Sequence, residues 1–398
     1  MTLRVLYGTV ANADILYLAR QKLLDPLLAV ITPTGQTILV TSDRDHASLK
    51  QVSAGPRLMQ TSDFPKDACS VSQIILAFYE RFEAKELLIP YTFPVGIFVK
   101  ARQLVPNLPI RIVPDQKLVT ERACKSSREV SLIQDACTAC ATAFNIIRTI
   151  LGRARIEPDP TFTKLPSLTL QMTHTNPENQ GQHLVDPATN LVVTSEYLYE
   201  AVRAALLEQN YQLDSAIISC GNQACLPTSY GTGKIRPHEL VVCDVYPRSL
   251  TTGYYGDMTR TFIKGEPSSQ QRRLVETVYG AQNLALSLIK PGMNLHELNC
   301  RIHQYFTEAG YETTYSEEYK CWTGFVHGLG HGLGLDIDEE PTIDSIDRKD
   351  VCRVGHTFTV EPGLYYPGVG GCRVEDVVLV TEDGCEKVGS YVCDWMIE

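Results

Sequence analysis

The sequence has no surplus of positive charge: 36 Lys and Arg stand against 46 Asp and Glu, a formal net charge of −10. A nucleic-acid binder needs a basic face to neutralise phosphates, so no nucleic-acid partner is expected. No apolar run approaches the roughly 18 residues of a membrane helix, and no membrane partner is expected either. The opening stretch from Met1 to Gly8 is too short, and the residues after it too polar, for a secretory leader. Low-complexity segments are missing. The thirteen cysteines are odd in number and scattered, which suits reduced thiols in a cytoplasmic protein rather than a disulfide framework. Cys137 and Cys140 form a C-x-x-C, but in a small-residue helical run where that spacing is simply one helix face. What is present is an ordinarily globular composition, 44% hydrophobic and 21% charged, in a chain of 398 residues long enough for two or three domains.

Residues 1–118 alternate strand-like and helix-like pieces. Asp14 to Ala19, Leu27 to Ile31, Thr37 to Val40, Glu86 to Ile89 and Ile110 to Val113 read as strands. Val71 to Phe82 and Gly96 to Leu104 have helical spacing. This half carries no catalytic constellation. A long helix is predicted after Ser126, because Ser126 and Glu129 form a capping-box pair ahead of Val130, Ile133, Ala136, Cys137 and Cys140. The domain boundary is placed just before it, giving 1–118 and 119–398. Residues 152–190 carry five prolines and read as a surface excursion holding His174 and His183. Ser195 to Asn210 reads as a helix and Ala216 to Ser219 as a strand. Gly231-Thr232-Gly233-Lys234 lacks the spacing and the hydroxyl residue of a phosphate loop.

Two histidines, His327 and His331, lie among glycines and apolar residues from Phe325 to Leu335, as expected of backbone pressed close to a small charged group. Asp244 is planted in the apolar strand Leu240 to Val245. Asp257 comes thirteen residues later, before Met258 to Phe262. The design recurs with Glu361 after Thr357 to Val360 and with Glu375, fourteen residues on, before Asp376 to Val380. Isolated carboxylates in apolar strands protonate unless a cation or hydrogen bonds compensate them. Four such acids with neutral His331 form a set whose charge two divalent ions would neutralise. Oxygen-rich ligation with one imidazole suits Mn²⁺, Co²⁺, Zn²⁺ or Fe²⁺. The alternative is a set of buried salt bridges with Arg260, Arg353 and Arg373.

The order Asp, Asp, His, Glu, Glu resembles the pita-bread metallopeptidases, which include aminopeptidase P, prolidase and methionine aminopeptidase. Glu121 to Glu129 is similar to the family's R-x-x-K-S-x-x-E helix. The segments Gly256–Thr261, His327–Leu335, Val360–Gly363 and Arg373–Asp376 are each similar to a family motif, in the right order. The first half is similar to the creatinase/prolidase N-terminal domain, which points to the Xaa-Pro peptidase branch. The resemblance implies an α/β (α+β) fold with that N-terminal domain and a pita-bread catalytic domain. It implies metal ligation by Asp244, Asp257, His331, Glu361 and Glu375, with two divalent ions per chain, manganese first among them. The implied reaction is hydrolysis of the N-terminal Xaa-Pro bond of dipeptides or short peptides by a hydroxide bridging the two metals. Glu361 would take the water's proton, His327 would contact the substrate, and Arg373 would orient the nearby carboxylates. A cytoplasmic homodimer is the implied assembly.

Two positions depart from the family pattern. Thr228 and Asp338 stand where the peptidases carry substrate-reading histidines, the second seven residues after His331. Asp338 adds negative charge near the cleft. The departures keep two alternatives open: a metal-dependent hydrolase of another small substrate, or a non-catalytic binding scaffold.

Overall fold

The computed structural model describes residues 1–52, 55–161, 181–392 and 394–398, so His174 lies outside the described residues. The α/β class expected is the one observed, in two compact units, Met1–Arg122 and Ala123–Glu398.

In the first unit, six strands form one sheet in the order Arg57–Gln60, Thr37–Thr41, Leu27–Ile31, Thr2–Gly8, Glu86–Pro90, Ile110–Val113. The Leu27–Ile31 strand is apolar at every position and buried at every position, because helices cover both faces. Leu28 and Val30 pack with Ile74, Ile75 and Phe78 on one face. Leu27, Ala29 and Ile31 pack with Ile15, Leu18 and Leu49 on the other. Asp14 to Ala19 is not a strand: Ala13–Ala19 is a helix, capped by the Asn12 side chain, which accepts from the Ile15 N–H at 3.0 Å. Asp14, in its first turn, receives Arg122 in a buried ion pair at 2.7 Å.

The second unit opens with the Ser127–Arg153 helix, whose Ser126–Glu129 capping box forms in full. By length and composition this helix could cross a membrane, which corrects the expectation that no run reaches that length. It is nevertheless a core helix. Ile133, Ala136, Cys140, Phe144, Ile147 and Leu151 form a buried stripe, and Phe144 meets Phe262 of the adjoining strand at 6.2 Å between ring centroids. The described residues flanking the proline-rich stretch are strands rather than loop. Arg155–Pro158, Gln182–Asp186 and Leu191–Val192 form a three-stranded sheet. The next helix, Ser195–Glu208, is capped by Thr194 rather than by Ser195.

Two larger sheets carry the rest. One runs Ala216–Cys220, Leu240–Val245, Met258–Lys264, Met396–Ile397. The other runs Glu339–Ile343, Gly330–Gly332, Thr357–Val360, Asp376–Val380, Cys385–Lys387. Helices Ser269–Leu288 and Leu295–Glu308 close the core, with Leu274, Val278, Ile302 and Phe306 against Phe358 and Val360. The sheets meet at one backbone bridge, where the Glu375 N–H donates to the Thr259 carbonyl at 3.1 Å. Among the described residues the cysteines lie outside any disulfide, Cys137 and Cys140 included.

Candidate metal centre

The four acids lie where strands end. Asp244 is the penultimate residue of its strand and pairs with Thr259 across the ladder, while Asp257 immediately precedes the partner strand. Glu361 and Glu375 are not joined by one simple hairpin, although their spacing of fourteen residues would allow one. Thr357–Val360 pairs with Asp376–Val380 in the five-stranded sheet, whereas Gly363–Tyr366 pairs with Gly370–Arg373 in a separate ribbon. Glu361-Pro362 and Val374-Glu375 are the links between them. Pro362 has no N–H to extend a ladder, so the chain changes sheets there and leaves the neighbouring carboxylate facing the seam.

His331 reaches the same seam on the short central strand Gly330–Gly332. A Cβ on Gly330 would collide with the Thr359 carbonyl, and one on Gly332 with the carbonyls of Glu339 and Glu340, so glycine is needed on both sides of the histidine. The His331 Nδ1 faces the Gly332 carbonyl at 3.1 Å, which assigns the ring proton to Nδ1. Nε2 then offers its lone pair toward Glu361 Oε1 at 3.4 Å and Asp257 Oδ2 at 3.7 Å. Ligand atoms of Asp257, His331 and Glu375 all lie within 4.8 Å of one another, a spacing that suits a shared cation.

The electrostatics of this cluster are unfavourable without one. Burial, then the charges of Glu375, Asp244 and Glu361, push the Asp257 pKa well above its ordinary value. Burial and the charges of Glu361 and Asp244 do the same for Glu375, and burial raises Glu361 despite His331 and Arg373. Asp244 Oδ1 and Asp257 Oδ1 are buried without a hydrogen-bond partner among the described residues. Of the salt bridges weighed from sequence, one involves this set: Arg373 Nη2 to Asp244 Oδ2, at 2.7 Å. Arg260 instead holds Asp376. The donor set therefore fits divalent cations, by ligand chemistry and by orphaned buried oxygens.

Two hydroxyl residues, Thr259 inside the Gly256–Thr261 segment and Thr359 outside the motif segments, tie the acids together. Thr259 donates to Glu375 Oε2 at 2.7 Å and receives Arg373 Nε at 3.2 Å. Thr359 donates to Glu361 Oε1 at 3.0 Å and receives the His331 N–H at 3.0 Å. Tyr365, fully buried, is likewise silent in the sequence: an aromatic residue in an apolar strand reads as core. Its hydroxyl lies 2.8 Å from both Arg373 Nη1 and His327 Nε2. The His327 Nδ1 faces the Gly328 carbonyl at 2.8 Å, so the chain is directed: Arg373 donates to Tyr365, Tyr365 to Nε2, and Nδ1–H to Gly328. Burial and then the Arg373 charge lower the His327 pKa to about 3, which keeps the imidazole neutral.

An open cleft of about 460 Å³ lies over the cluster, lined by Asp244, His327, His331, Glu361 and Arg373, and also by Thr228 and Asp338. The two departures from the family pattern thus face the same space. His183 supplies no replacement there. It is buried, 3.8 Å from Asp159, and does not line the cleft.

The sequence profile of metallopeptidase family M24 matches residues 132–382. The chain is 39% identical over 173 residues to the Xaa-Pro dipeptidase of Pyrococcus furiosus, covering 43% of this chain and 46% of that one. It is 33% identical over 193 residues to the probable dipeptidase PepE of Mycobacterium tuberculosis, covering 48% of each. The match therefore spans about half the length of these curated relatives. Among solved structures, the prolidase from Pyrococcus furiosus superposes with a TM-score of 0.71 at 22% identity, over 98% of this chain and 97% of that one. The Xaa-Pro dipeptidase from Bacillus anthracis gives 0.73 at 20%, over 100% and 94%. At these identities the structures share the fold.

Proposed function

Since the chain belongs to metallopeptidase family M24, we propose that it is a dinuclear metallopeptidase cleaving the N-terminal Xaa-Pro bond of dipeptides or short peptides. The observation that carries this reading is the acid cluster at the sheet seam, four carboxylates against the one arginine Arg373, with Asp244 Oδ1 and Asp257 Oδ1 buried and unpartnered among the described residues. Asp244, Asp257, His331, Glu361 and Glu375 would hold two divalent ions, manganese by preference. Bound there, the ions supply Lewis acidity that polarises the scissile carbonyl and acidifies water.

The chain's own residues do the rest. Glu361 reaches the cleft with Oε1 held by Thr359, where it can take the proton of the attacking water and return it to the leaving amine. Arg373 fixes Asp244 and, through Tyr365, the orientation of His327. His327 lines the cleft beside Glu361, its Nδ1 4.0 Å from Oε2, where it can position the substrate. The family match supports this reading over a hydrolase of an unrelated small substrate or a binding scaffold. A cytoplasmic homodimer without nucleic-acid or membrane partners completes the proposal: the acidic charge supports the lack of a nucleic-acid partner, and thiols outside any disulfide among the described residues support the compartment.

The test is hydrolysis of a Xaa-Pro dipeptide and a Xaa-Pro-Xaa tripeptide by protein stripped of metal and reloaded with Mn²⁺, beside a Glu361→Ala variant. Metal-dependent cleavage lost in the variant is expected, and the preferred length names the subclass. No cleavage of either peptide by protein verified to hold two ions per chain overturns the proposal.

A further inference from the structure

We propose that Asp344 determines substrate specificity by excluding a free C-terminal carboxylate, so that the leaving group is a longer peptide or an amide rather than a free amino acid. The inference rests on the peptidase reading and deepens it. In a dipeptide the C-terminal carboxylate stands one residue, about 3.5 Å, from the scissile carbonyl, so it stays in the cleft while that bond lies at the acid cluster. It is ionised at neutral pH and needs a cation or several N–H donors to offset its lost hydration. Asp244, Asp338, Asp344 and Glu361 line the cleft, and among the described residues Arg373 is the only arginine or lysine of that lining. The Arg373 guanidinium is occupied. Nε donates to Thr259 at 3.2 Å, Nη1 to Tyr365 at 2.8 Å and to the Pro227 carbonyl at 3.4 Å, and Nη2 to Asp244 at 2.7 Å, with 4% of the side chain exposed. His327 is neutral, its ring nitrogens engaged by Tyr365 and Gly328. Where two divalent ions bind, the four ligand acids balance their charge.

Asp344 follows the strand Glu339–Ile343. Thr342 and Asp344 stand on either side of Ile343, which is buried in the core, so both turn to the cleft. Gly328, next to His327, runs against this corner: a Cβ there would stand 2.7 Å from the Ile343 carbonyl and 3.2 Å from the Asp344 Cβ. Asp344 also engages Arg348, the cation beside this wall. Its Oδ1 receives Nη1 at 2.6 Å and its Oδ2 receives Nη2 at 3.0 Å, a two-pronged pair. Arg348 in turn holds the Asp344 carboxyl below the ordinary carboxylate range, so it stays an anion. The charges of Glu340 and Asp350 also act on Arg348, whose guanidinium is thus set among acids. A substrate carboxylate in this cleft meets like charge from Asp344 and no unengaged cation among the lining residues. A peptide or terminal amide carries no charge, and the hydroxyls of Thr228 and Thr342 suit its carbonyl and N–H groups.

Hydrolysis of Leu-Pro, Leu-Pro-amide and Leu-Pro-Gly by the Mn²⁺-loaded protein tests this, beside Asp344→Asn and Arg348→Gln. Expected is a kcat/KM for the amide and the tripeptide about 10-fold above that for the free dipeptide, carried mainly by KM. Asp344→Asn removes the like charge and releases Arg348, and should narrow the contrast by about 3-fold or more by raising Leu-Pro cleavage. Arg348→Gln leaves Asp344 uncompensated and should widen it, whereas a defect of folding alone lowers acid and amide alike. Equal rates for acid and amide in the parent protein, a preference for the free dipeptide, or a contrast unchanged in Asp344→Asn overturns the inference. If none of the three is cleaved, the peptidase reading falls, and calorimetric binding of the same intact peptides decides the inference. Tighter binding of the amide than of the acid, narrowed in Asp344→Asn, upholds it; equal or absent binding overturns it.

Discussion

Glu375 and Asp376 are neighbours in the chain, equally buried, and differ in what surrounds them. Asp376 receives Arg260 at 2.6 Å, Lys387 at 2.6 Å and the Gln282 amide at 3.0 Å. Glu375 receives the Thr259 hydroxyl and faces the carboxylates of Asp257, Asp244 and Glu361. The same contrast separates the cluster from other buried acids of the second unit. Asp159 has Lys234 and Arg236, Asp186 has Arg153 and Tyr197, and Glu339 has Lys125. A fold that gives each of these other acids its own internal cation, and sets one arginine, Arg373, against four carboxylates at the seam, has left that seam for cations from solution.

The largest effect that sharpens this contrast is on catalysis. Glu361→Gln keeps the shape and removes the proton acceptor, and should lower kcat by about 10²–10⁴-fold on a Xaa-Pro peptide. Steady-state kinetics with metal content measured on the same sample checks it. Next is stability. Arg260→Met leaves Asp376 short of its principal partner and should destabilise the protein by about 3 kcal/mol, with metal stoichiometry unchanged. Glu375→Gln in the metal-free protein relieves repulsion and should leave the melting temperature unchanged or higher. Equal losses in the two variants, read by thermal melts, would break the distinction.

A third expectation concerns pH. Asp257, Glu361 and Glu375 have folded-state pKa values raised above the ordinary range, by burial first. In the metal-free chain, the stability they contribute is complete below the ordinary carboxylate range and is lost as pH climbs through their raised values. Bound metal displaces those protons, so the rise in melting temperature on adding Mn²⁺ should grow between about pH 5 and 8, reaching about 5 °C or more. A metal-induced shift that shrinks with rising pH would contradict the assigned directions. Smallest is Tyr365→Phe. It frees His327 Nε2 and Arg373 Nη1 from the shared hydroxyl, and should reduce kcat/KM about 5-fold, about 1 kcal/mol, while metal binding persists.

Much of the site is legible because the cluster is written in residue type and order. Acids in apolar strands and histidines among glycines are conspicuous in any composition. The capping box at Ser126 is equally plain. Asp14 to Ala19 is not, since so short a mostly apolar run suits strand or helix, and the deciding Asn12 cap is a single side chain. The change of sheet at Pro362 escapes a hairpin reading because the acids' spacing is the same whether or not one sheet holds both strands. Tyr365 and Thr359 carry no sequence signal of their own, and Thr259, though inside the Gly256–Thr261 segment, has a role that exists only through partners brought from distant segments. Asp376 shows the converse: it adjoins Glu375 and is as deeply buried, and its Arg260 and Lys387 contacts assign it to structure.

The central claim is that the seam is built for external cations, and calorimetric titration of Mn²⁺ into metal-free protein tests it most directly, with Glu375→Gln as the partner variant. The account predicts saturable binding of two ions per chain, falling to one or none in the variant. Absence of saturable binding in the parent protein, at pH 7 or above where the raised acids ionise most readily, would contradict it.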